Sequence, residues 1–498
     1  MKRFLLFAIC CCGLFLYNAC TPDDNFITDS NAKLDFSVDT LRFDTVFSQI
    51  GSATRILKIY NRNNRPIKID KIMVQGGSNS MFRLNIDGDP GSEAEEVKIP
   101  ANDSLYIFGE VTVDPDQPLS ISPYVVEDEL IFITNGNTQT VLLEAWGQNA
   151  NYLPSRFGGG GAALFSCNLQ EETWDDPKPY VIYGILVIDE CTVRLPAGTR
   201  IYVHGGIGTS TVIDTSGNPV RQRYSDGRIV IGPQGRLLAE GTAEDSVVIQ
   251  GDRLEPSFDD IEGQWFGIII SAGSRGNRFE YTTIKNAIIG VAADSASSLV
   301  MKQTQIFNTS SNAVLGIRST ITAENCLFYN NAAGAVRFTY GGDYQFDFCT
   351  LASYGVDASA LSMSNSLCLN APVCSQYRPY RLNADFRNSI IFGSRRDEIL
   401  ISQVPEAAMN YNFSHCIVRV EDLLDENAFP NFFDNCNPCN NASRDDKLFL
   451  DVSEADYHLD TLSIAEEMAV PLPGITIDLD AQTRDGSQPD IGCFEFAN

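Results

Sequence analysis

The sequence predicts an all-β protein in two parts, an antiparallel β-sandwich followed by a right-handed parallel β-helix with a C-terminal cap. Three observations carry that prediction. Between Arg278 and Asn331, Asn286, Asn308 and Asn330 recur at intervals of 22 residues, with Ile284, Ile306 and Phe328 two places before them and Thr282, Thr304 and Cys326 two places earlier still. A fixed period in the twenties marks stacked structural units. Each unit holds short alternating segments rich in Val, Ile, Phe and Thr, broken by Asn, Gly and Ser, which is strand chemistry with tight turns and no helical period. Strands returning to one register stack in parallel, and the recurrent Asn is expected to supply the bend and to hydrogen-bond the Asn of the next coil. The third observation lies upstream: seven short alternating strands between Leu34 and Gly147, separated by Asn, Gly and Pro turns, read as a sandwich.

A chain of 498 residues has room for two or three domains and a sizeable core. Its formal charge of −28 excludes nucleic acid as a partner, because phosphates demand Lys and Arg. The same charge opposes anionic glycans unless bound Ca²⁺ bridges the two. It suits an exposed protein kept soluble by an acidic surface. Of 14 cysteines, Cys10, Cys11, Cys12 and Cys20 lie in the leader, and the even remainder allows disulfides in an exported chain. Cys368 with Cys374, and Cys436 with Cys439, close short loops and are the candidate pairs. Cys326 and Cys349 fall at one register of successive coils and are expected to stack as buried thiols. Zinc at Cys436-Asn-Pro-Cys439 needs two further ligands from a chain whose only histidines are His204, His415 and His458, so no metal site is predicted.

Taken in order, residues 1–20 place Lys2-Arg3 before an apolar run from Phe4 to Leu16, the pattern of a signal peptide too short to span as a stable anchor. Ala19-Cys20 resembles the lipobox of bacterial lipoproteins, with Tyr17 where Leu is usual. The resemblance implies lipid on Cys20, and more than one acyl chain makes a stable membrane anchor. Asp23-Asp24 resembles the surface-export signal of Bacteroidetes lipoproteins, implying an outer-membrane location facing the cell surface. A plain acidic tether on a periplasm-facing lipoprotein is the alternative. Residues 21–33 form the tether and residues 34–148 a sandwich of immunoglobulin type. Its runs Phe43–Phe47, Leu57–Asn61 and Val141–Gly147 resemble the Ig-like domains that Bacteroidetes place ahead of surface modules, which space or bind; no constellation for chemistry is visible there. Residues 149–176 read as a Gly-rich connector. Gly158–Gly161 lie between Arg156 and Trp174 with neither a following helix nor a Lys, so a joint or a bulged first coil fits better than a phosphate cradle.

The β-helix is expected over residues 177–446, about ten coils from Tyr180 to Val420 making a rod of about 50 Å at the usual strand spacing. Pro196-Ala-Gly-Thr-Arg-Ile-Tyr-Val203 and Leu238-Ala-Glu-Gly-Thr242 resemble motifs of right-handed β-helix proteins of the pectin-lyase-like superfamily. Residues 205–226 form a polar insertion, and loops 357–381 and 395–409 protrude. The ending Arg484-Asp-Gly-Ser-Gln-Pro-Asp-Ile-Gly-Cys-Phe-Glu-Phe496 resembles the C-terminal block of the choice-of-anchor Q group, and residues 447–498 are expected to cap the open end, as every solenoid needs.

Many proteins of the pectin-lyase-like fold are polysaccharide lyases or glycoside hydrolases, so that resemblance admits an enzyme. The hydrolases' Gly-His-Gly with paired Asp is approached only by Val203-His204-Gly205-Gly206, with no Asp pair at its register. A lyase needs a base facing carboxylates that hold Ca²⁺. Asp259, Asp260 and Glu262 are the candidate carboxylates, and Arg387 or Arg395-Arg396 the candidate base, though Arg387 lies several coils beyond Asp260. Trp174, Trp265 and Tyr281 are candidate sugar-stacking rings, though Trp265, in Gly263-Gln-Trp-Phe-Gly267, is rather expected to pack in a coil corner. The favoured function is a non-catalytic binding or scaffold module that needs no cofactor and docks on an outer-membrane protein or a surface glycan. The enzyme is the alternative.

Overall fold

The computed structural model describes residues 25–47, 52, 54–113, 124–153, 162–167, 170–213, 219–370, 373–425 and 428–496. The signal peptide, Cys20, Asp23-Asp24, Arg156 and Gly158–Gly161 lie outside them. The chain forms two compact units, residues 1–149 and 150–498.

The first unit is an Ig-like β-sandwich of two five-stranded sheets. One runs in the order Asp35–Phe36, Arg55–Tyr60, Ser104–Val111, Phe82–Ile86, Asp89–Gly91; the other in the order Thr40–Phe47, Asn137–Gln148, Tyr124–Thr134, Ile67–Val74, Glu93–Ile99. Alternation sends Leu57, Ile59, Leu84 and Ile107 from one sheet against Ile69, Ile72, Phe132 and Leu143 from the other, the packing that holds any sandwich. Ten strands replace the seven read from sequence. The run from Leu34 to Phe47 divides between the two sheets, and the polar segment Asp89–Ile99, with no apolar alternation to announce it, supplies two edge strands.

The second unit is a right-handed parallel β-helix with three sheets. Sheet I has 11 strands, from Asn151–Leu153 to Cys439–Asn441; sheet II has nine, from Ala162–Phe165 to Ile399–Ser402; sheet III has nine, from Glu171–Thr173 to Met409–Ser414. Each coil passes through II, III and I in turn. Strand neighbours are offset by one coil, as in Ile249–Ile284–Ile306–Phe328–Leu351 along the interior of sheet I. The interior is an apolar column closed by ring stacks such as Phe386 on Phe413 at 4.9 Å.

Single left-handed residues turn the corners. Asn286, Asn308 and Asn330 have φ of 63°, 52° and 51°, a conformation Asn tolerates because its short polar side chain bonds locally. The expected Asn-to-Asn ladder is replaced by a different contact. Asn286 Nδ2 donates to the carbonyls of Asp259 (2.7 Å) and Ile261 (2.9 Å), and Asn308 Nδ2 to Asp260 Oδ1 (3.2 Å), so the corner amides hold the loop that follows strand Val247–Gly251.

The coils begin earlier than the sequence suggested. Residues 149–176 contain the first strand of each sheet, Asn151–Leu153, Ala162–Phe165 and Glu171–Thr173, so the stretch read as a connector is the opening coil. Its short strands around a glycine run hide the period. Cys167 and Cys191, equivalent positions of the first two coils, are disulfide-bonded. The insertion after His204 is a two-stranded hairpin, Ile207–Ile213 with Pro219–Ser225.

The C-terminal end is closed by residues 422–425 and 428–441, ahead of the segment expected to cap it. Phe432 is fully buried against Phe413 (5.5 Å) and Tyr411 (6.1 Å), and Cys439–Asn441 adds the last strand to sheet I. Residues 447–496 instead fold back along the outer flank of sheet I. There Leu448, Phe449, Tyr457, Leu479 and Ile491 bury Leu327, Tyr329, Ile390, Phe392 and Ile417. The cause is in those strands: they are apolar on both faces, as sheets covered on both sides are.

Candidate functional site

The carboxylates and cations proposed for lyase chemistry occupy different faces. Asp259 pairs with Lys285 and Asp260 accepts from Asn308, both against sheet I. Arg387 ends the strand Leu382–Arg387 of sheet III, where Nε and Nη2 each lie 2.6 Å from the Asp347 oxygens. That bidentate contact holds the guanidinium above its usual pKa, the reverse of what a general base requires. Arg395 pairs with Asp357, and Arg396 with Glu421 and Asp422. Glu262 stands exposed in the loop beside Asp260. His204 stacks on Tyr183 (4.2 Å) with Nδ1 2.6 Å from Asp252 Oδ2. The structure therefore brings together no base and carboxylate pair from this set. Buried Glu398, pushed up to about 7 by desolvation, accepts N–H groups from Arg395 (2.7 Å) and Ala360 (2.9 Å), completing a turn between sheets I and II.

The candidate sugar-stacking tryptophans are core residues. Trp174 is buried and stacks on Tyr180 at 4.7 Å; Trp265 is buried and donates Nε1–H to Lys285 O at 2.9 Å. Each sits where a coil turns, and the interior absorbs the ring. Tyr281 is half-buried at a left-handed corner with φ 39°. Cys368–Cys374 and Cys436–Cys439 are disulfide-bonded, and Cys326, Cys349, Cys416 and Cys493 are buried thiols. No cluster of metal-binding side chains occurs among the described residues.

The feature that sequence reasoning missed lies on the outside of sheet II. Leu164 aligns with Val187, Val187 with Val230, Val230 with Ile269, Ile269 with Ala292, and Ala292 with Leu315. These six side chains occupy one outward row, alternating with interior residues such as Leu186, Ile229 and Ile268. Leu164 is 68% exposed, and Val187, Val230, Ile269 and Leu315 are partly exposed. The row spans about 24 Å at the usual spacing of stacked strands. It ends at Arg337 and Ser362, the next two positions of the register. The row is apolar over six coils, with Ala292 buried at 9% within it, and exposed apolar patches are surfaces of the kind at which partners dock. Its signal was visible: Ile185-Leu-Val-Ile188, Ile229-Val-Ile231 and Ile268-Ile-Ile270 are unbroken apolar runs where a half-exposed strand should alternate.

No protein-family model matches the chain, and no curated protein matches it. Among solved structures it is similar to a family 123 glycoside hydrolase from Clostridium perfringens, 7% identical over 23% of this chain and 26% of that chain with a TM-score of 0.17, so it spans about a quarter of that protein. The ASH/PapD-like domain of human CEP192 is 8% identical over 24% of this chain and 85% of that chain, TM-score 0.16. The catalytic unit of a GH87 α-1,3-glucanase from Streptomyces thermodiastaticus is 8% identical over 73% of this chain and 72% of that chain, TM-score 0.23. The fold stands on the strand register described above.

Proposed function

We propose that this chain is a lipid-anchored binding and scaffold protein of the outer membrane of a Bacteroidetes-type bacterium, facing the cell surface and docking on an outer-membrane protein through sheet II. The observation that carries the reading is the outward row from Leu164 to Leu315. Partly exposed aliphatic side chains along these coils present a regular apolar face, and burying what remains open against a partner releases on the order of 25 cal/mol per Å² of apolar surface. Two further features support it. Cys20 follows a small residue behind an apolar leader, and the acidic pair Asp23-Asp24 follows Cys20, the pattern of exported surface lipoproteins. Arg387, Arg395 and Arg396, the cations that would serve a lyase, are each held in ion pairs with carboxylates other than Asp259, Asp260 and Glu262, and Asp259 pairs with Lys285.

The test compares a C-terminally tagged chain with its Val230→Glu/Ile269→Glu variant, each purified from detergent-solubilised outer membrane. A stoichiometric outer-membrane protein that accompanies the parent and is lost from the variant is the expected result. Depolymerisation of a polysaccharide by the purified parent, with no accompanying protein, would overturn the reading. Globomycin treatment, which blocks lipoprotein signal cleavage, should leave the leader attached; normal processing under the inhibitor would exclude the lipid anchor at Cys20.

A further inference from the structure

We propose that the outward face of the first sheet of the sandwich binds a neutral oligosaccharide. In the register of that sheet Ile56, Phe108 and Asn85 form one outward row, and Lys58 with Tyr106 the neighbouring one. Ile56 is 53% exposed, Tyr106 44% and Phe108 38%, while the alternate residues Leu57, Leu105 and Ile107 fill the core. A strand that is apolar on both faces is built for two coverings, and the second sheet of the sandwich supplies only one of them.

Beside Phe108 the sheet is concave. A cleft of about 920 Å³ is lined by Phe108, Arg83, Asn85, Glu110, Ser78 and Pro90 among others. That is the size of a small-ligand pocket. Arg83 and Glu110 oppose each other across the strand pair. Arg83 Nη1 donates to Phe82 O at 3.1 Å and also to Ser80 O, which fixes the guanidinium at the cleft. Asn85 exchanges hydrogen bonds with Gly88, holding the hairpin that forms one wall.

The lining chemistry selects the ligand. Arg83 offers donors, Glu110 offers acceptors, and Ser78 offers both. Hydroxyl groups donate and accept, so a dense polyol satisfies such a mixed set, whereas an anion meets Glu110 and a cation meets Arg83. An aromatic ring exposed on the floor matches the apolar face of a pyranose. Beyond the cleft, Lys58 Nζ lies over the Tyr106 ring at 5.0 Å and over the Tyr60 ring at 5.2 Å, so those faces are already occupied and Phe108 is the ring offered to a sugar. The inference deepens the reading of the chain as a binding protein and rests on it, but it uses a different unit from the docking strip.

The experiment is affinity electrophoresis of the full chain in gels containing laminarin, galactomannan, xylan or starch. At least one of the four should retard the parent. Phe108→Ala should lower the apparent affinity about tenfold or more, Trp146→Ala on the opposite sheet should leave it unchanged, and Glu110→Gln, which keeps the shape of the cleft, should weaken it severalfold at an unaltered melting temperature. Absence of retardation by all four polysaccharides overturns the inference. So does retardation that survives both Phe108→Ala and Glu110→Gln. Because neither variant touches sheet II, a parent chain that binds no glycan but keeps its outer-membrane partner would remove this inference alone, and a parent chain that binds glycan but has no such partner would remove only the docking function.

Discussion

Along sheet I, Leu327, Tyr329, Ile390, Phe392 and Ile417 point away from the β-helix interior and lie buried beneath residues 447–496. Along sheet II, Leu164, Val187, Val230, Ile269 and Leu315 also point away from the interior, but they remain partly open to solvent. The two rows have the same chemistry. The difference is that the chain supplies its own cover for one. That cover is bolted down: buried Arg484 donates to Asn325 Oδ1 (2.8 Å), Gly492 O (2.9 Å) and Glu495 Oε2 (3.1 Å) and lies over the Phe348 ring, while Asn388 and Val470 exchange hydrogen bonds of 2.8 and 3.2 Å. An outward apolar row in a solenoid is thus a demand for a second layer. Where the chain does not meet the demand, as along sheet II, the proposed docking partner is what would supply the layer.

The largest effects are expected at the covered row of sheet I. Tyr457→Ala, which empties the space against Tyr329 and Phe449, should cost about 3–5 kcal/mol in denaturant unfolding. Tyr457→Phe should cost nothing or add stability, because the buried hydroxyl has no hydrogen-bond partner. Arg484→Met should cost about 3–5 kcal/mol by leaving Glu495 buried and unpaired. None of these three substitutions should affect docking through sheet II. In contrast, Ile269→Ser on the open strip should cost about 1 kcal/mol or less, because the side chain already meets water, yet it should weaken docking. A large loss of stability there would mean that the strip is already covered.

The smallest effect is a pH dependence of the cover. His458 has Nδ1 2.6 Å from Asp456 Oδ1 and Nε2 2.8 Å from Asp480 Oδ2, and the Asp480 hydrogen bond leads in raising its pKa to about 9. A raised folded pKa favours the folded state when protonated. The contribution is therefore complete below the unfolded value near 6.5 and is lost as pH rises through about 9. Hydrogen exchange of residues 447–496 should accelerate between pH 7 and 9 beyond the intrinsic rate, and His458→Gln should remove that dependence.

Much of the fold was legible because a coil is a local object. The 22-residue spacing of Asn286, Asn308 and Asn330 is the perimeter of one turn, and the left-handed corner it marks needs nothing distant to be inferred. The flank was not legible. Arg484 and Asn325 are 159 positions apart, and nothing in either neighbourhood reports the contact. The end cap was misplaced for the same reason: Phe432 and residues 447–496 are both apolar segments after the last recognisable coil, and only the outward side chains of sheet I decide which of them lies on the flank. The candidate site failed differently. The corner packing expected for Trp265 is what the structure has, and Trp174, weighed as a sugar-stacking ring, is absorbed by a corner in the same way. The unbroken runs at Ile185, Ile229 and Ile268 do not by themselves say which of their residues face outward.

The most direct test places a photo-crosslinking p-benzoylphenylalanine at Val230 in the outward row of sheet II and, separately, at Gln345 in the outward row of sheet III, in cells with the chain at its natural level. The account predicts that irradiation joins the Val230 position to one outer-membrane protein in high yield and leaves the Gln345 position uncoupled. Equal labelling at both positions, or none at Val230, would contradict the claim that an uncovered apolar row in this β-helix is the docking face.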